Sequence, residues 1–507
     1  MTKIRATCVL ALAGVVSGCS VGPNYHTPST TMPSAYAAAS TQPSPVAQPA
    51  HISRWWRAFN DPELDSLIDR AIAANFDLDL ALTRLQEART MEVAVEGPAF
   101  PVLGASGAAA RGSGTNSTKG RISPPLNAAS NTTGLKEITQ IIGFDAGWEL
   151  DLFGRYRRQI EAAQYDTQAA AETRNAVLIT VVSDVARAYT EVRALQMRLK
   201  IANDNIDIER TTVDVVQQRF DRGLTNELDL ALAKRQLATL QSEIAPLVAE
   251  ISAVQRRLAV LLGEYPEDLT VELQQAVPLP QLPRRIQSGL PLDLLRRRPD
   301  IRQAERELAA NTALVGARTA DLFPRLAITA GAGLQGQGMG RPPAGNTFIW
   351  SAGPTAYWPL LDFGALDALI EIQDLRTHEA LVNYRKTIVN AVEEVDDALS
   401  AYSAQQDRLQ NLTDALAASQ RAVTLANQRY NRGLTDFLNV TDAERQLYEL
   451  QDQYAIAQED VVVQCIAIYK GLGGGWQSYQ QIPPIRKPLP AVAATVRQIV
   501  SPDHPEK

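Results

Sequence analysis

Residues 218–241, QRFDRGLTNELDLALAKRQLATLQ, return at 428–451 as QRYNRGLTDFLNVTDAERQLYELQ. At this single offset of 210, Arg219, Phe220, Arg222, Gly223, Leu224, Thr225 and Leu228 match Arg429, Tyr430, Arg432, Gly433, Leu434, Thr435 and Leu438, and Arg235-Gln236-Leu237 matches Arg445-Gln446-Leu447. A chain with such a repeat folds as two copies of one unit, and every later reading must respect that. Within each copy, helical sequence runs into Arg-Gly-Leu-Thr. Gly223 and Gly433 supply the positive φ that ends a helix, and Thr225 with Asn226, or Thr435 with Asp436, can cap the next one. Each copy is therefore a helical hairpin with a tight tip.

Helical sequence without proline fills 154–222 and 364–432, 69 residues each. At about 1.5 Å per residue such a helix reaches roughly 100 Å, and it needs other helices beside it. The first carries the modest stripe Val177, Val181, Val185, Ala188, Val192, Leu195, Leu199. Return helices are expected over 225–262 and 435–472. Ahead of each long helix the period changes from helical to alternating. Ile142, Phe144, Ala146, Trp148, Leu150 and Leu152 alternate with Gly143, Asp145, Gly147, Glu149 and Asp151. Such a strand suits a barrel wall with lipid on one side and water on the other. Strands are expected over about 100–111, 140–152, 324–335 and 347–360, with Trp350 and Trp358 on one face of the last. A helical stripe from Leu64, Leu67 and Ile68 continues through Leu78, Leu82 and Leu85 toward Glu96, and its counterpart covers 292–320. There the offset is 223 (Asp77 to Asp300, Pro101 to Pro324), so the first copy carries 13 extra residues in its strand-loop-strand region. Four strands cannot close a membrane barrel, for which the smallest number is about eight, so several chains must contribute.

Of the 507 residues, three are cysteines and four histidines, and the net charge is −7. The negative charge argues against nucleic acid as a partner. Lys3 and Arg5, a short apolar run and Val16-Ser17-Gly18-Cys19 resemble a bacterial lipobox, in which the signal is cut before the cysteine and the cysteine is acylated. Cys19 then carries the lipid, Cys465 is the one remaining thiol, and Ser20 in place of aspartate suggests outer-membrane sorting. The division expected is 1–18 signal peptide, 19–52 lipidated Pro-, Ala- and Ser-rich tether, 53–275 first repeat, 276–475 second repeat and 476–507 tail. His26, His51, His378 and His504 sit apart from any cysteine or carboxylate cluster, and no Gly-rich loop precedes Lys-Ser or Lys-Thr. These readings point away from an enzyme and from any cofactor other than the lipid on Cys19.

The duplicated plan, the lipobox, Trp55-Trp56 with Phe59 and Asp61-Pro62, Arg297-Arg298-Pro299-Asp300-Ile301 and the two Arg-Gly tips together resemble the TolC-type outer-membrane factors, in their NodT-like lipoprotein branch. The resemblance implies a homotrimer: a mostly α fold with membrane β, in which four strands per chain build a twelve-stranded barrel continued by a periplasmic helical tunnel. It implies an exit duct for drugs or other toxic small molecules, working with a periplasmic adaptor protein and an inner-membrane RND-type transporter. It places a periplasmic gate at Leu438, Asp442 and Arg445, and adaptor docking at Arg219, Arg222, Gly223, Leu224, Thr225, Arg429, Arg432, Gly433, Leu434 and Thr435. One point is independent of the resemblance: the first copy has Leu232 where the second has Asp442, so that aspartate belongs to one tip alone. Read by itself, Asp442 is a solvated charge pairing locally with Arg445 or Lys234. A duct for secreted proteins and a periplasmic coiled-coil lipoprotein are the competing functions. The second predicts helical hairpins without four amphipathic strands.

Overall fold

The computed structural model describes residues 20–37, 52–111, 138–265, 267, 273–283, 289, 291–337 and 347–479. Cys19, the signal peptide, the rest of the tether, the two loops between paired strands and most of the tail lie outside the described residues. The elements are α1 (Pro62–Ala74), α2 (Phe76–Glu96), β1 (Val102–Arg111), β2 (Ile138–Leu150), α3 (Arg155–Asp221), α4 (Glu227–Leu261), α5 (Pro299–Ala320), β3 (Arg325–Gln337), β4 (Thr347–Tyr357), α6 (Ala365–Asn431) and α7 (Phe437–Gly471). The long helices α3 and α6 have 67 residues each, and the return helices α4 and α7 have 35 each.

The strands form one antiparallel sheet in the order β1-β2-β3-β4. Register settles which residues share a face, because directly paired residues point the same way. Ile142, Phe144, Ala146 and Trp148 lie opposite Leu334, Ala332, Ala330 and Ile328, which in turn lie opposite Phe348, Trp350, Ala352 and Pro354. Every one of these side chains is apolar. The other face carries Gly104, Ser106, Asp145, Glu149, Arg325, Thr329, Ser351 and Thr355 among glycines. At the foot of the sheet the two repeats make the same contact. The Trp148 indole N–H donates to the Ala99 carbonyl at 3.0 Å, and Trp358 donates to the Leu322 carbonyl at 2.9 Å.

One expected helix is two. The apolar stripe runs through 62–96 without interruption, yet Asn75 breaks it. Asn75 adopts an extended backbone, and its side chain accepts from the N–H groups of Asp77 and Leu78, capping α2. Its amide nitrogen also donates to the Leu261 carbonyl at the end of α4, at 2.8 Å. The start of α2 is thereby spliced to the end of α4 while both lie along α3. The second repeat does the same with a different residue. Arg298 donates to the Gly471 carbonyl at the end of α7 (2.8 Å) and grips Asp300 and Glu394 at 2.6 Å. A short turn, Leu294–Arg297, precedes α5, so the expected helix over 292–320 is also interrupted, by Pro299. The glycines after α4 and α7 allow the close approach: a Cβ on Gly263 would meet the Ala74 carbonyl oxygen at 2.3 Å, and one on Gly473 the Arg297 carbonyl oxygen at 2.9 Å.

The main core sits at this mid-height belt. Trp55, Trp56, Phe59, Leu64, Leu67 and Ile68 are buried against Leu178, Val182, Val185, Tyr189, Leu258 and Ile466, with Trp55 stacked on Tyr469 at 5.2 Å. Asp61 caps α1 through the N–H groups of Glu63 and Leu64 and also accepts from the Tyr189 hydroxyl at 2.8 Å. Two of the motifs that carry the resemblance, Trp-Trp with Asp-Pro and Arg-Arg-Pro-Asp, are therefore belt fasteners.

Residues 20–37, expected as a free tether, have no regular structure but are docked on the body. Arg158 reaches the Val21 carbonyl and the Asn24 side chain (2.7 Å), Tyr25 meets Tyr165 and Glu305, and Tyr36 is buried under α5 and α6. Ser20 lies against Gly154, the residue that joins β2 to α3.

Candidate functional site

The two helical tips are built alike. Gly223 and Gly433 sit at φ +70 and +71. The N–H of Leu224 donates to the Arg219 carbonyl at 2.8 Å, and that of Leu434 to the Arg429 carbonyl at 2.9 Å. This closes the last turn of each long helix by the Schellman pattern. Of each expected capping pair it is the second residue that stands at the cap. Asn226, not Thr225, caps α4 by accepting from the Asp229 N–H at 2.9 Å, and Asp436 stands at the cap of α7 without a side-chain bond. The threonine hydroxyls look one turn ahead instead, Thr225 bonding Asp229 and Thr435 accepting from Asn439 at 2.9 Å. A threonine reaches N-cap geometry less readily than asparagine because its β-methyl restricts χ1.

The tips also hold each other. The Arg219 guanidinium lies 4.8 Å over the ring of Tyr430, which packs on Phe437 and, with Val216, Leu230, Ala233 and Val440, forms a small core between the hairpins. Arg219 is thus engaged inside the chain. Arg222, Arg429, Arg432, Gly223 and Gly433 stay exposed, and Leu224 and Leu434 are each 63 % exposed, while Thr225 and Thr435 are half-buried.

The gate candidates lie on the first three turns of α7. Leu438 is 60 % exposed. Arg445 pairs with Asp442 at 2.8 Å and with Glu449 at 2.9 Å, all three being exposed. The local pairing read from sequence is therefore present, whereas Lys234 turns to Gln217 instead. An exposed i,i+3 pair is screened by solvent and holds its partners weakly, so Asp442 is free to exchange partners.

The sequence reading passed over the neighbouring turn. Glu209 of α3 and Glu444 and Tyr448 of α7 are buried together between the two hairpins. Among the described residues, both carboxylate oxygens of Glu209, one of Glu444 and the Tyr448 hydroxyl have no hydrogen-bond partner. Burial, with Glu444 opposite, pushes the Glu209 carboxyl up to about 8, and burial raises Glu444 as well. The only sequence signal was a glutamate on the apolar side of a long helix, which in a polar helix is easily taken as solvated. Among the described residues no group of three or more His, Cys, Asp or Glu is placed to hold a metal ion, and no helix is long and apolar enough to cross a membrane.

With this geometry in place the comparisons with known proteins can be read. The profile of the family described as outer membrane efflux protein matches residues 67–264 and 290–474. The chain is 30 % identical over 480 residues to the cation efflux system protein CusC of Escherichia coli O6:H1, covering 94 % of this chain and 99 % of that one. It is 30 % identical over 487 residues to the toluene efflux pump outer membrane protein TtgC of Pseudomonas putida, covering 95 % and 97 %. Among solved structures, the outer-membrane channel OprN superposes with a TM-score of 0.80 at 35 % identity, covering 90 % of this chain and all of that one.

Proposed function

We propose that this chain, which belongs to the outer membrane efflux protein family, is the exit duct of a tripartite pump that moves drugs or other toxic small molecules out of the cell. It is an outer-membrane efflux channel, and its relatives are channels and transport components. The observation that carries the reading is the sheet: four strands with an apolar band of Ile142, Phe144, Trp148, Ile328, Leu334, Phe348 and Trp350 on one face and Asp145, Glu149, Arg325 and Thr329 on the other, set on helices of 67 residues. Such a sheet is part of a barrel wall with lipid outside and water inside, and the helices are long enough for a tunnel across the periplasm. Three copies give twelve strands. Native mass spectrometry of the detergent-extracted protein tests this. A trimer that conducts in planar bilayers is expected; a lipidated monomer or dimer would hand the function to the periplasmic coiled-coil alternative.

The two tips present Arg222, Leu224, Arg429, Arg432 and Leu434, with the backbone of Gly223 and Gly433, as the surface for the adaptor's helical hairpins. Thr225 and Thr435 fix that backbone, and Arg219 holds the tips together. Fixed, exposed helix tips dock other helix tips with little ordering cost. The gate is Leu438, an apolar constriction, and Asp442, which a trimer gathers into a ring of three, with Arg445 as its neutralising partner. Asp442→Ala is expected to raise conductance in planar bilayers several-fold and to relieve block by added divalent cations; unchanged conductance and block would remove Asp442 from the gate.

Cys19 carries the lipid in this reading. Ser20, the next residue, rests on Gly154 at the foot of the sheet, and the N–H of Val21 donates to the Phe153 carbonyl at 3.1 Å. An acyl chain on the preceding residue would start where the apolar face ends. Cys19→Ser should abolish labelling with a radiolabelled fatty acid, and labelling that persists would refute the lipobox. Cargo choice is assigned to the inner-membrane RND-type transporter. Two relatives of equal identity are named for cations and for toluene, so a duct of this kind serves unlike cargoes.

A further inference from the structure

Between α4 and α7, on a floor of α3, lies an open groove of about 550 Å³, a volume usual for a small-molecule site. Two features of α4 shape it. Pro246 stands inside the helix. A proline has no N–H for the carbonyl four residues back and forces that carbonyl aside. Here it is the Ser242 carbonyl, and Ser242 and Pro246 both line the groove. Gln236 lines it nearer the tip. Its side chain is 8 % exposed, and its amide has no hydrogen-bond partner among the described residues. A buried amide left unpaired is costly, so the partner of such a group is to be sought in a ligand or in water. The helical plan itself does not require this design. At the 210 offset, Glu243 and Pro246 become Gln453 and Ile456 in the second copy.

The groove is charged unevenly. Arg198 is taken up by Asp452 at 2.7 Å and Arg445 by Glu449 at 2.9 Å. Glu243 and Glu250, which also line it, make no ion pair among the described residues. Burial and the nearby Asp452 raise the Glu243 carboxyl, the mark of a negative field without its counter-charge. Glu243, Leu247 and Glu250 follow at i, i+4 and i+7, so they share one face of α4 and the two carboxylates stand about 10 Å apart. Among the described residues no three carboxylates are placed to hold a metal ion, which favours an extended ligand over a bare divalent one. We propose that the groove binds an elongated organic cation with ammonium groups at about that spacing. Glu243 and Glu250 take the ammonium groups, the Gln236 amide oxygen and the Ser242 carbonyl accept further N–H groups, and the buried Leu247 meets the methylenes between them. The proposal rests on the duct reading in one respect: Arg445, a gate residue, is also a wall of the groove, which sets the site within reach of molecules in transit.

Isothermal titration of the full-length protein in detergent with spermidine, a flexible triamine, tests the site. Saturable binding is expected that magnesium chloride at the same concentration does not displace. Glu243→Gln with Glu250→Gln should weaken it about tenfold. Both glutamates are exposed, so this double variant should keep the unfolding midpoint of the wild type. Gln236→Leu and Pro246→Ala should each weaken binding too, the first by removing an acceptor and the second by returning the N–H that the Ser242 carbonyl lacks. Asp442→Ala should leave the affinity unchanged. No saturable binding, equal affinity in the double glutamine variant, or displacement by magnesium would overturn the site. Binding lost in Asp442→Ala but kept in the double variant would assign the cation to the aspartate ring and overturn the groove as well. Conduction in planar bilayers is read separately on the same protein. A protein that conducts but does not bind spermidine would lose the groove and keep the duct, and one that binds through Glu243 and Glu250 without conducting would do the reverse.

Discussion

Arg193→Ala is expected to lower the stability of the protein by about 3–5 kcal/mol, the cost of removing one partner from a buried charge network. Arg193 is 1 % exposed, in the middle of α3. Its guanidinium donates to Glu63, to Gln196 at 2.8 Å and to the Gln275 carbonyl at 2.7 Å, and it lies 4.9 Å over the Tyr189 ring. Gln196 continues the network to the Leu273 carbonyl at 2.6 Å. One side chain therefore ties the start of α1, the first long helix and the connector between repeats. Alanine leaves a cavity and strands the connector carbonyl and Glu63 without their donor. Arg193→Lys recovers part of the loss, since an ammonium replaces the charge but not the fork. The measurement is the urea midpoint in detergent. A midpoint unchanged within error would show that the belt does not depend on this residue.

The second large effect concerns pH. The Glu209 carboxyl is raised from 4.5 to about 8 by burial and by Glu444. Between those values the folded chain keeps a proton that the unfolded chain releases. Stability therefore falls as pH rises through this window, by about 1.4 kcal/mol per unit for one such group, and levels off above about pH 8. Tyr448 and Asn427 are the other polar groups facing the pair, and neither supplies a positive charge. Glu209→Gln removes the titration, so the variant should equal the wild type near pH 5 and exceed it by several kcal/mol near pH 8. Parallel stability curves from pH 5 to 9 would show that Glu209 is not protonated in the folded protein.

Much of the architecture was legible because it was written twice. Alternation in Ile142, Phe144, Ala146 and Trp148, and the constant offsets of 210 and 223, sufficed to place four strands and two very long helices. What escaped has physical reasons. The break at Asn75 was hidden because two spliced helices lying along one neighbour share a continuous apolar stripe. The docking of residues 20–37 was hidden because an extended segment with few apolar residues gives no periodic signal, although Tyr25 and Tyr36 anchor it. Arg219 was expected to meet the adaptor, but its cation–π contact needs Tyr430, 211 positions away, where the first repeat has Phe220. Asp442 was singled out by the one asymmetry sequence can show, its replacement by Leu232 in the other copy. Glu209 was not, because burial of a lone glutamate depends on a helix from the opposite repeat.

The splices at Asn75 and Arg298 have a mechanical consequence. Beside each 67-residue strut the wall is made of two helical pieces whose ends meet, joined by a side chain that reaches a carbonyl and by a few ion pairs. Such a joint carries axial load well and bending load poorly. A twist applied at the tips would therefore find its weakest points at these two joints, while the unbroken long helices still connect the tips to the sheet.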